Sequence, residues 1–382
     1  MEQVRPTEAI VDIGAVVHNY RLAVELGGRP GIAIVKADAY GHGAIPLSKA
    51  LVEAGAPMLG VALVEEGISL REAGIQVPIL VLGGAYGSQY DLLVRYQLTP
   101  LIFSVQHLAE CAAVARRTGQ RLAVHVKVDT GMGRLGLLMK EVPAFLEVAR
   151  QLPEVEVVGL CTHYFNSGEL ETIAEQRQRF AQARALFAAA GMPVRVLHIA
   201  NSGALLHRAV QADEDLTRPG LMLYGYSAFV PVPDSEAARE AARLKLALTF
   251  RTAIAHLKEV PAGTPVSYAG RWVAKVPSRI ATLPVGYVDG FDRRLTGSDK
   301  PGFANGQVLC GGKRVPVVGT VCMDLCMIDV TSVPEAVVGS EVVLLGRQGN
   351  ECIDADEVAQ ATGTVSLQVL CGIGSRVPRV FR

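Results

Sequence analysis

Charge imbalance, long apolar runs and paired cysteines are all missing from this 382-residue sequence. Lys plus Arg and Asp plus Glu both number 37, so the formal net charge is zero, and only 19% of the residues are charged. Nucleic-acid binding requires a basic surface, so this balance argues against such a partner. No apolar run approaches the length of about twenty residues that a membrane span needs, so we expect no membrane partner.

The seven cysteines include no CxxC pair. An odd number of scattered cysteines in a long chain is typical of reduced thiols, so we expect a cytoplasmic protein. Cys322 and Cys326 lie four residues apart, but this spacing without a second pair of ligands predicts no metal site. The first residues, MEQVRPTE, lack a basic region followed by an apolar stretch, so we also expect no secretory signal.

The length indicates two domains, because a single core usually stops growing below this size. From about residue 31 to 226, short apolar runs alternate with Ala/Leu/Glu/Arg-rich segments of helical period. The predicted strands are 32–35, 58–63, 78–82, 99–103, 122–128, 155–161, 194–199 and 216–224. Eight parallel strands, without a GxGxxG fingerprint after the first, favour an α/β fold of the TIM (β/α)8 type over an open doubly wound sheet.

The pattern changes after a proline-containing segment at 229–244. We therefore predict a barrel over residues 1–240, whose first ~10 residues pack with the β domain, and a mainly β C-terminal domain over 241–382. The strands expected there are 248–254, 278–284, 316–318, 327–330 and 341–345, with a short helix near 353–362.

The segment AIVKADAYGHG (33–43) is the most informative, because an apolar run ends in Lys36 and a glycine-spaced polar turn follows. A lysine where a buried strand meets a loop can be desolvated enough to act as a nucleophile, and Tyr40, His42 and the glycines could hold an anion. A lone lysine of this kind is more often one whose stem is buried while its amine reaches water. The rest of the chain decides between these interpretations.

Polar residues also follow four other predicted strands, at the barrel end where TIM-barrel active sites lie. They are Lys127, Asp129, Arg134, His163, Asn201, Ser202, Arg218 and Gly220. The loops after the seventh and eighth strands are the usual phosphate position, and an amine opposite a phosphate site suggests pyridoxal phosphate (PLP). Arg218 then suits the pyridine nitrogen, where a cation weakens the ring as an electron sink, and Arg134 suits the phenolate oxygen.

Nine passages, in order along nearly the whole chain, resemble those of alanine racemases. They are VKADAYGHG (35–43), KVDTGMGRLG (127–136), TH (162–163), ANS (200–202), RPG (218–220), VSY (266–268), LPVGYVDG (283–290), CMD (322–324) and SRVPR (375–379). The resemblance implies a homodimeric, PLP-dependent enzyme with shared active sites that interconverts L- and D-alanine. It also implies that the D-alanine supplies peptidoglycan.

The resemblance assigns the catalytic roles. Lys36 would bind the cofactor aldehyde and act as the base on one face of the substrate Cα, and Tyr268 of the partner subunit would be the acid or base on the other face. Inverting a stereocentre removes a proton from one face and returns one to the other, so two opposed groups are simpler than one mobile group. A tyrosine with its ordinary pKa of about 10 is a poor base. His163, linking Tyr268 to Arg218, would support it.

The remaining matching residues would hold the cofactor and the substrate. Lys127, which is often carbamylated in this family, would position Arg134. Arg134 and the backbone of Met323 would bind the substrate carboxylate. Asp324 and Tyr287 would support the tyrosine side of the site. The other cofactor contacts would be Tyr40, Asn201, Ser202, Gly220 and Leu221.

Three positions depart from the family pattern. Leu367 replaces a tyrosine that touches the phosphate and narrows the substrate pocket. Gly168 replaces an aspartate of the entrance, and Thr320 replaces its usual arginine partner. Losing one member would strand a charge, whereas losing both can be neutral. We therefore expect a remodelled, less charged entrance and a relaxed side-chain preference that admits serine.

Three alternatives stay open on the sequence: an alanine/serine racemase of broader specificity, a PLP-dependent amino-acid decarboxylase of the same architecture, and a noncatalytic PLP-binding protein. The VSY and CMD motifs favour racemisation over decarboxylation. The related noncatalytic barrels lack a second domain, whereas this chain continues well past Ser235.

Overall fold

The computed structural model describes residues 5–382, so residues 1–4, on which part of the N-terminal prediction falls, lie outside the described residues. The chain forms two compact units. One holds the described residues up to Ile13, together with Tyr40–His42 and Leu246–Arg382, and the other holds Gly14–Ala39 and Gly43–Lys245. The predicted domain boundary after residue 240 lies just before the change of unit.

After strand β1 (Glu8–Val11), seven consecutive strands form a parallel sheet in sequence order. They are β2 (Ile32–Ile34), β3 (Met58–Val61), β4 (Ile79–Val81), β5 (Thr99–Ile102), β6 (Leu122–Lys127), β7 (Val155–Cys161) and β8 (Val196–His198). Each matches a predicted strand, with ends that differ by a few residues. Short apolar runs form these strands because they are buried on both faces.

The prediction of an eighth strand at 216–224 is wrong, because these residues form no strand. Thr217 and Arg218 make single parallel bridges to Gly31 and Asn201, and Leu221–Tyr224 is a 3-10 turn. Pro219 lacks the N–H that a strand would donate. The segment still closes the ring, because the Thr217 carbonyl accepts from Ile32 N at 2.8 Å while Arg218 N donates to Ala200 O at 2.7 Å. The predicted barrel architecture is therefore confirmed.

The helices of this part of the chain lie mainly between the barrel strands. They are α1 (Ile13–Gly27), α2 (Lys36–Gly41), α3 (Ala44–Glu53), α4 (Val64–Glu72), α5 (Gln89–Arg95), α6 (Val105–Thr118), α7 (Val142–Arg150), α8 (Leu170–Ala189), α9 (Ser202–Leu206) and α10 (Glu236–Ala241). Among the described residues, no helix combines the length and the apolar character needed to cross a membrane.

The C-terminal part is mainly β, as predicted. Its strands are β9 (Leu248–Ala253), β10 (His256–Val260), β11 (Pro265–Val266), β12 (Trp272–Val273), β13 (Ser278–Leu283), β14 (Gln307–Cys310), β15 (Lys313–Pro316), β16 (Cys326–Asp329), β17 (Glu341–Gln348), β18 (Glu351–Ile353) and β19 (Arg379–Phe381). The helices α11 (Ala355–Thr362) and α12 (Ser366–Cys371) precede β19. Of the strand predicted at 316–318, only Pro316 lies in a strand, as the last residue of β15, and Val317 makes a single bridge to Ile328.

Strand β1 belongs to this C-terminal sheet. It pairs antiparallel with β9 and parallel with β19, in a sheet ordered β15-β14-β17-β9-β1-β19. Arg5 reinforces the join with a bidentate ion pair to the buried Asp289, at 2.8 and 3.0 Å. The first described residues therefore pack within the C-terminal unit.

Candidate active site

Polar side chains lie at the carboxyl ends of the parallel barrel strands. Lys36 follows β2, Lys127 ends β6 and His163 comes two residues after β7. Burial and the positive charges of Arg218, Lys127, Arg134 and Lys36 hold the pKa of His163 well below its ordinary value. Four cations predicted from separate parts of the sequence therefore form a cluster around the neutral imidazole of His163.

Lys36 opens a left-handed turn. The four residues Ala37–Tyr40 all have φ between 50° and 54°, a conformation that costs roughly 1–2 kcal/mol per residue for L-amino acids. Two carboxylates stabilise the turn: Glu66 Oε1 accepts from Ala37 N, and Asp38 Oδ1 accepts from Ala44 N, both at 2.6 Å. The sequence predicts a polar turn here, but its glycine spacing does not predict the left-handed conformation of residues 37–40.

The Arg218 side chain is only 6% exposed and is held by backbone carbonyls. Its Nη2 donates to Thr162 O at 2.6 Å and to Ile199 O at 3.0 Å, and lies 3.3 Å from Nδ1 of His163. Burial lowers the pKa of Arg218, but a guanidinium keeps its proton in proteins. Arg218 is therefore a permanent cation with a fixed orientation.

Lys127 is buried, and its amine lies among other cations. Burial is the largest cause that lowers its pKa, and the charges of Arg218 and Arg134 lower it further, although Cys161 and Asp129 act in the opposite direction. This environment favours the uncharged amine.

The predicted phosphate residues meet where β8 and the closing segment end. Ser202 Oγ accepts from Gly220 N at 3.0 Å and from Met222 N at 3.4 Å. Asn201 caps α9 by accepting from Ala204 N. Because Ser202 Oγ already accepts two hydrogen bonds, its own O–H can donate to an anion. Leu221 begins the adjacent 3-10 turn.

The predicted phosphate contact Tyr40 is assigned to the other compact unit. Its side chain is buried, and burial raises the pKa of its hydroxyl group. Tyr40 is therefore a protonated phenol at neutral pH.

Tyr268 is 73% exposed and lies on a turn of unusual geometry in the C-terminal unit. Its neighbours Ser267 and Ala269 have φ of 64° and 62°. Ser267 Oγ donates to Thr320 O at 2.8 Å, and Thr320 Oγ1 donates to Tyr268 O at 2.9 Å. These two reciprocal hydrogen bonds, which we call the Thr320 clamp, hold the Tyr268 backbone and leave its phenol exposed.

We expect Thr320→Val to weaken the clamp, because valine has the shape of threonine but donates no hydrogen bond. The free energy of unfolding should fall by about 1 kcal/mol, the usual net value of one hydrogen bond, and any activity that needs Tyr268 should fall with it. Chemical denaturation and steady-state kinetics measure both effects. Thr320→Ser keeps the hydroxyl and should behave like wild type; equal losses in the two variants would contradict the role of the hydroxyl.

The other predicted residues of the tyrosine side lie near one another. Tyr287 N donates to Cys322 O at 3.0 Å, one residue before Met323, whose side chain is half exposed. Asp324 forms an ion pair with Arg376 at 2.8 Å. The arrangement joins the LPVGYVDG, CMD and SRVPR motifs within the C-terminal unit.

The structure explains the two departures at the predicted entrance separately. A Cβ at Gly168 would lie 3.2 Å from two side-chain atoms of Phe229, so an aspartate there would crowd that ring. The Thr320 side chain is buried and engaged with Tyr268. Leu367, the third departure, is half-buried on α12.

Sequence reasoning missed three buried residues near this site. Gln176 of α8 donates to Thr130 Oγ1 at 2.9 Å and to the His163 carbonyl at 3.1 Å, which holds the loop after β7. His125 and His198 pair at 2.7 Å inside the barrel. The two histidines could have been identified from the sequence, because each lies within an otherwise apolar strand.

Comparison with known proteins identifies the family. The alanine racemase N-terminal domain model matches residues 11–228, and the C-terminal domain model matches residues 247–381. An alanine racemase from Halothermothrix orenii is 41% identical over 382 residues, covering 99% of this chain and 97% of that protein.

Solved structures agree over the whole chain. The crystal structure of alanine racemase from E. faecalis has 32% identity and a TM-score of 0.87, with 100% of both chains covered. Alanine racemase from Bartonella henselae, solved with covalently bound pyridoxal phosphate, has 26% identity and a TM-score of 0.85, with 99% of both chains covered. The chain therefore belongs to the alanine racemase family.

Proposed function

We propose that this protein is a PLP-dependent racemase that interconverts L-alanine and D-alanine. The observation that carries the proposal is the convergence of Lys36, Lys127, Arg134 and Arg218 on a neutral His163 at the end of the barrel. Full-length similarity to alanine racemases supports the same reaction. The D-alanine would supply peptidoglycan in a bacterial cytoplasm.

The donor set fits PLP, which carries an aldehyde, a phenolate oxygen and a phosphate. Lys36 offers an amine to the aldehyde, Arg134 a cation to the phenolate, and the Ser202 hydroxyl a donor to the phosphate, with Tyr40, Asn201, Gly220 and Leu221 as further contacts. When bound, the cofactor supplies an electron sink that acidifies the substrate Cα–H. We assign Arg218 to the ring nitrogen, because a guanidinium donates a hydrogen bond without giving up its proton.

Proton transfer at the substrate Cα would use two residues. Lys36 serves one face, and Tyr268 of the partner subunit serves the other, so that the enzyme works as a homodimer. Nδ1 of His163 faces Nη2 of Arg218 and accepts there, which leaves the proton of the neutral ring on Nε2. From that atom His163 can donate to the tyrosine oxygen and stabilise its ionised form.

Supporting residues would complete the substrate site. The Met323 backbone and Arg134 hold the substrate carboxylate, while Asp324 and Tyr287 support the tyrosine side. Burial and the neighbouring cations lower the pKa of Lys127, which favours the neutral amine that would attack carbon dioxide, forming a carbamate and releasing a proton. The resulting anion would lie close enough to Arg134 to position it.

A coupled assay tests the reaction. Purified protein with PLP and L-alanine should form D-alanine, detected by a D-specific oxidase, and the reverse reaction should occur from D-alanine. A decarboxylase would release carbon dioxide without inverting configuration, and a noncatalytic PLP-binding protein would do neither. Either of those results would refute the proposal.

We expect Leu367→Tyr to sharpen the preference for alanine over serine. Tyrosine would narrow the pocket wall and add a hydroxyl group, so the ratio of kcat/KM for serine to that for alanine should fall by about tenfold, the typical effect of a small steric difference in a pocket. Leu367→Phe is the matched control that adds the ring without the hydroxyl. A ratio that does not change in Leu367→Tyr would show that this position does not set the preference.

A further inference from the structure

His125 and His198 form a buried chain with Arg218 inside the barrel. The two histidines are 1% and 0% exposed. Nδ1 of His125 lies 2.7 Å from Nε2 of His198, and Nδ1 of His198 lies 2.9 Å from Nη1 of Arg218. The motifs that identify the family do not include either histidine.

The His125–His198 pair requires a gap in the strand between them, meaning a position without a side chain. His125 lies on β6 and His198 on β8, so their rings meet across β7. The register places His125 beside Gly159, and a Cβ at Gly159 would lie 2.3 Å from Nδ1 of His125. Because adjacent strands are about 4.8 Å apart, a ring can bridge two strands only where the middle one presents no side chain. Gly159 supplies that gap.

The direction of the hydrogen bonds determines where each proton lies. A guanidinium only donates, so Nδ1 of His198 must accept from Arg218 and the proton of His198 must lie on Nε2. That N–H then donates to Nδ1 of His125, whose own proton lies on Nε2. Burial and the charge of Arg218 lower the pKa of His125 to about 4, which keeps its ring neutral near pH 7.

We propose that His125 and Gly159 are positioning residues for Arg218, because they hold His198 in the tautomer that accepts from the guanidinium. If the acceptor on His125 is lost, the proton of His198 can move to Nδ1, where it opposes the N–H of Arg218. The guanidinium then loses one acceptor and faces the N–H of His198, which displaces it relative to the three backbone carbonyls that also hold it. The proposal rests on the proposed function, in which Arg218 faces the cofactor ring nitrogen.

The first test needs no activity. In the full-length protein with ¹⁵N-labelled histidine, Nδ1 of His198 should give the signal of an unprotonated ring nitrogen and Nε2 that of a protonated one. The opposite assignment, or a doubly protonated ring, overturns the proposal even if racemisation is confirmed. The expected assignment in a protein that fails to racemise would instead refute only the proposed function.

His125→Asn and His125→Leu form a matched pair of similar size. The asparagine oxygen lies where Nδ1 does and restores the acceptor, whereas leucine cannot accept. In holoenzyme, His125→Leu should lower kcat by about tenfold or more, the scale of one hydrogen bond to a charged group, with little change in KM for alanine. It should also shift the His198 tautomer. His125→Asn should stay near wild type in both measurements, and identical behaviour of the two variants overturns the proposal.

Gly159→Ala provides an independent test without touching either histidine. The added methyl group displaces the His125 ring, so the His198 signals and kcat should change as in His125→Leu. Gly60→Ala is the control, since Gly60 lies in β3 and the three atoms nearest to its added Cβ belong to the apolar side chains of Ile34, Ile32 and Leu82. Thermal unfolding identifies variants that are merely unstable. A folded Gly159→Ala with unchanged His198 signals contradicts the role of the gap.

Discussion

Lys36→Ala is expected to reduce kcat for racemisation by at least about 10⁴-fold, because it removes both a covalent anchor and a general base. The cationic cluster around His163 would lose the Lys36 amine but keep Lys127, Arg134 and Arg218, so PLP should still bind through weaker contacts. Absorbance spectroscopy distinguishes covalently held from free cofactor. Steady-state assays in both directions measure the rate.

Two controls distinguish the loss of the Lys36 amine from the loss of its positive charge. Lys36→Arg keeps a positive charge but offers no neutral amine, because a guanidinium stays protonated, so it should be as inactive as Lys36→Ala. Lys49, exposed on α3, should tolerate alanine without loss of rate. A Lys36→Ala variant that retains more than a tenth of the wild-type kcat would contradict a catalytic role for Lys36.

Tyr268→Phe is expected to reduce kcat by about 10²- to 10⁴-fold, the usual contribution of one general acid or base. The fold should be unaffected, because the Thr320 clamp binds the Tyr268 carbonyl and the phenol is 73% exposed. In deuterated water, Cα–H exchange should persist for the enantiomer served by Lys36 and be lost for the other. NMR of each enantiomer measures this directly, and an undiminished racemisation rate in both directions would refute the two-base assignment.

Mixing the two variants tests the shared site. In a dimer of Lys36→Ala with Tyr268→Phe, one site carries both changes, and the other carries neither if Tyr268 comes from the partner. Random reassociation makes half of the dimers mixed, so about a quarter of the wild-type rate should return. If both residues served the same subunit's site, each site of the mixed dimer would carry one change and no activity would return.

Several parts of this site could be predicted because they are local in sequence. An apolar run that ends in Lys36, and others that precede Lys127, His163 and Ser202, identify strand ends. In a parallel barrel all strand ends of one kind meet at one rim. The same reasoning failed for residues 216–224, where the ring is closed by single bridges around Pro219 instead of by a strand.

Other parts depended on contacts between distant segments. The left-handed turn after Lys36 is stabilised by Glu66, a residue of the next helix but one. The Thr320 clamp joins residues more than fifty positions apart in the chain. No periodicity in the sequence marks either contact, because both depend on the relative placement of elements that form separately.

The sequence by itself determined the order of strands and helices, the family and the types of residue at the barrel rim, because hydrophobic period and motif order are properties of the chain read in one dimension. Only the tertiary structure decided which of those residues meet and in what state. His163 is neutral because the fold buries it and brings four cations near it, both of which lower its pKa. The histidine pair exists because the strand register places Gly159 beside His125. The orientation of Arg218 follows from contacts with three separate backbone carbonyls and with the His198 ring.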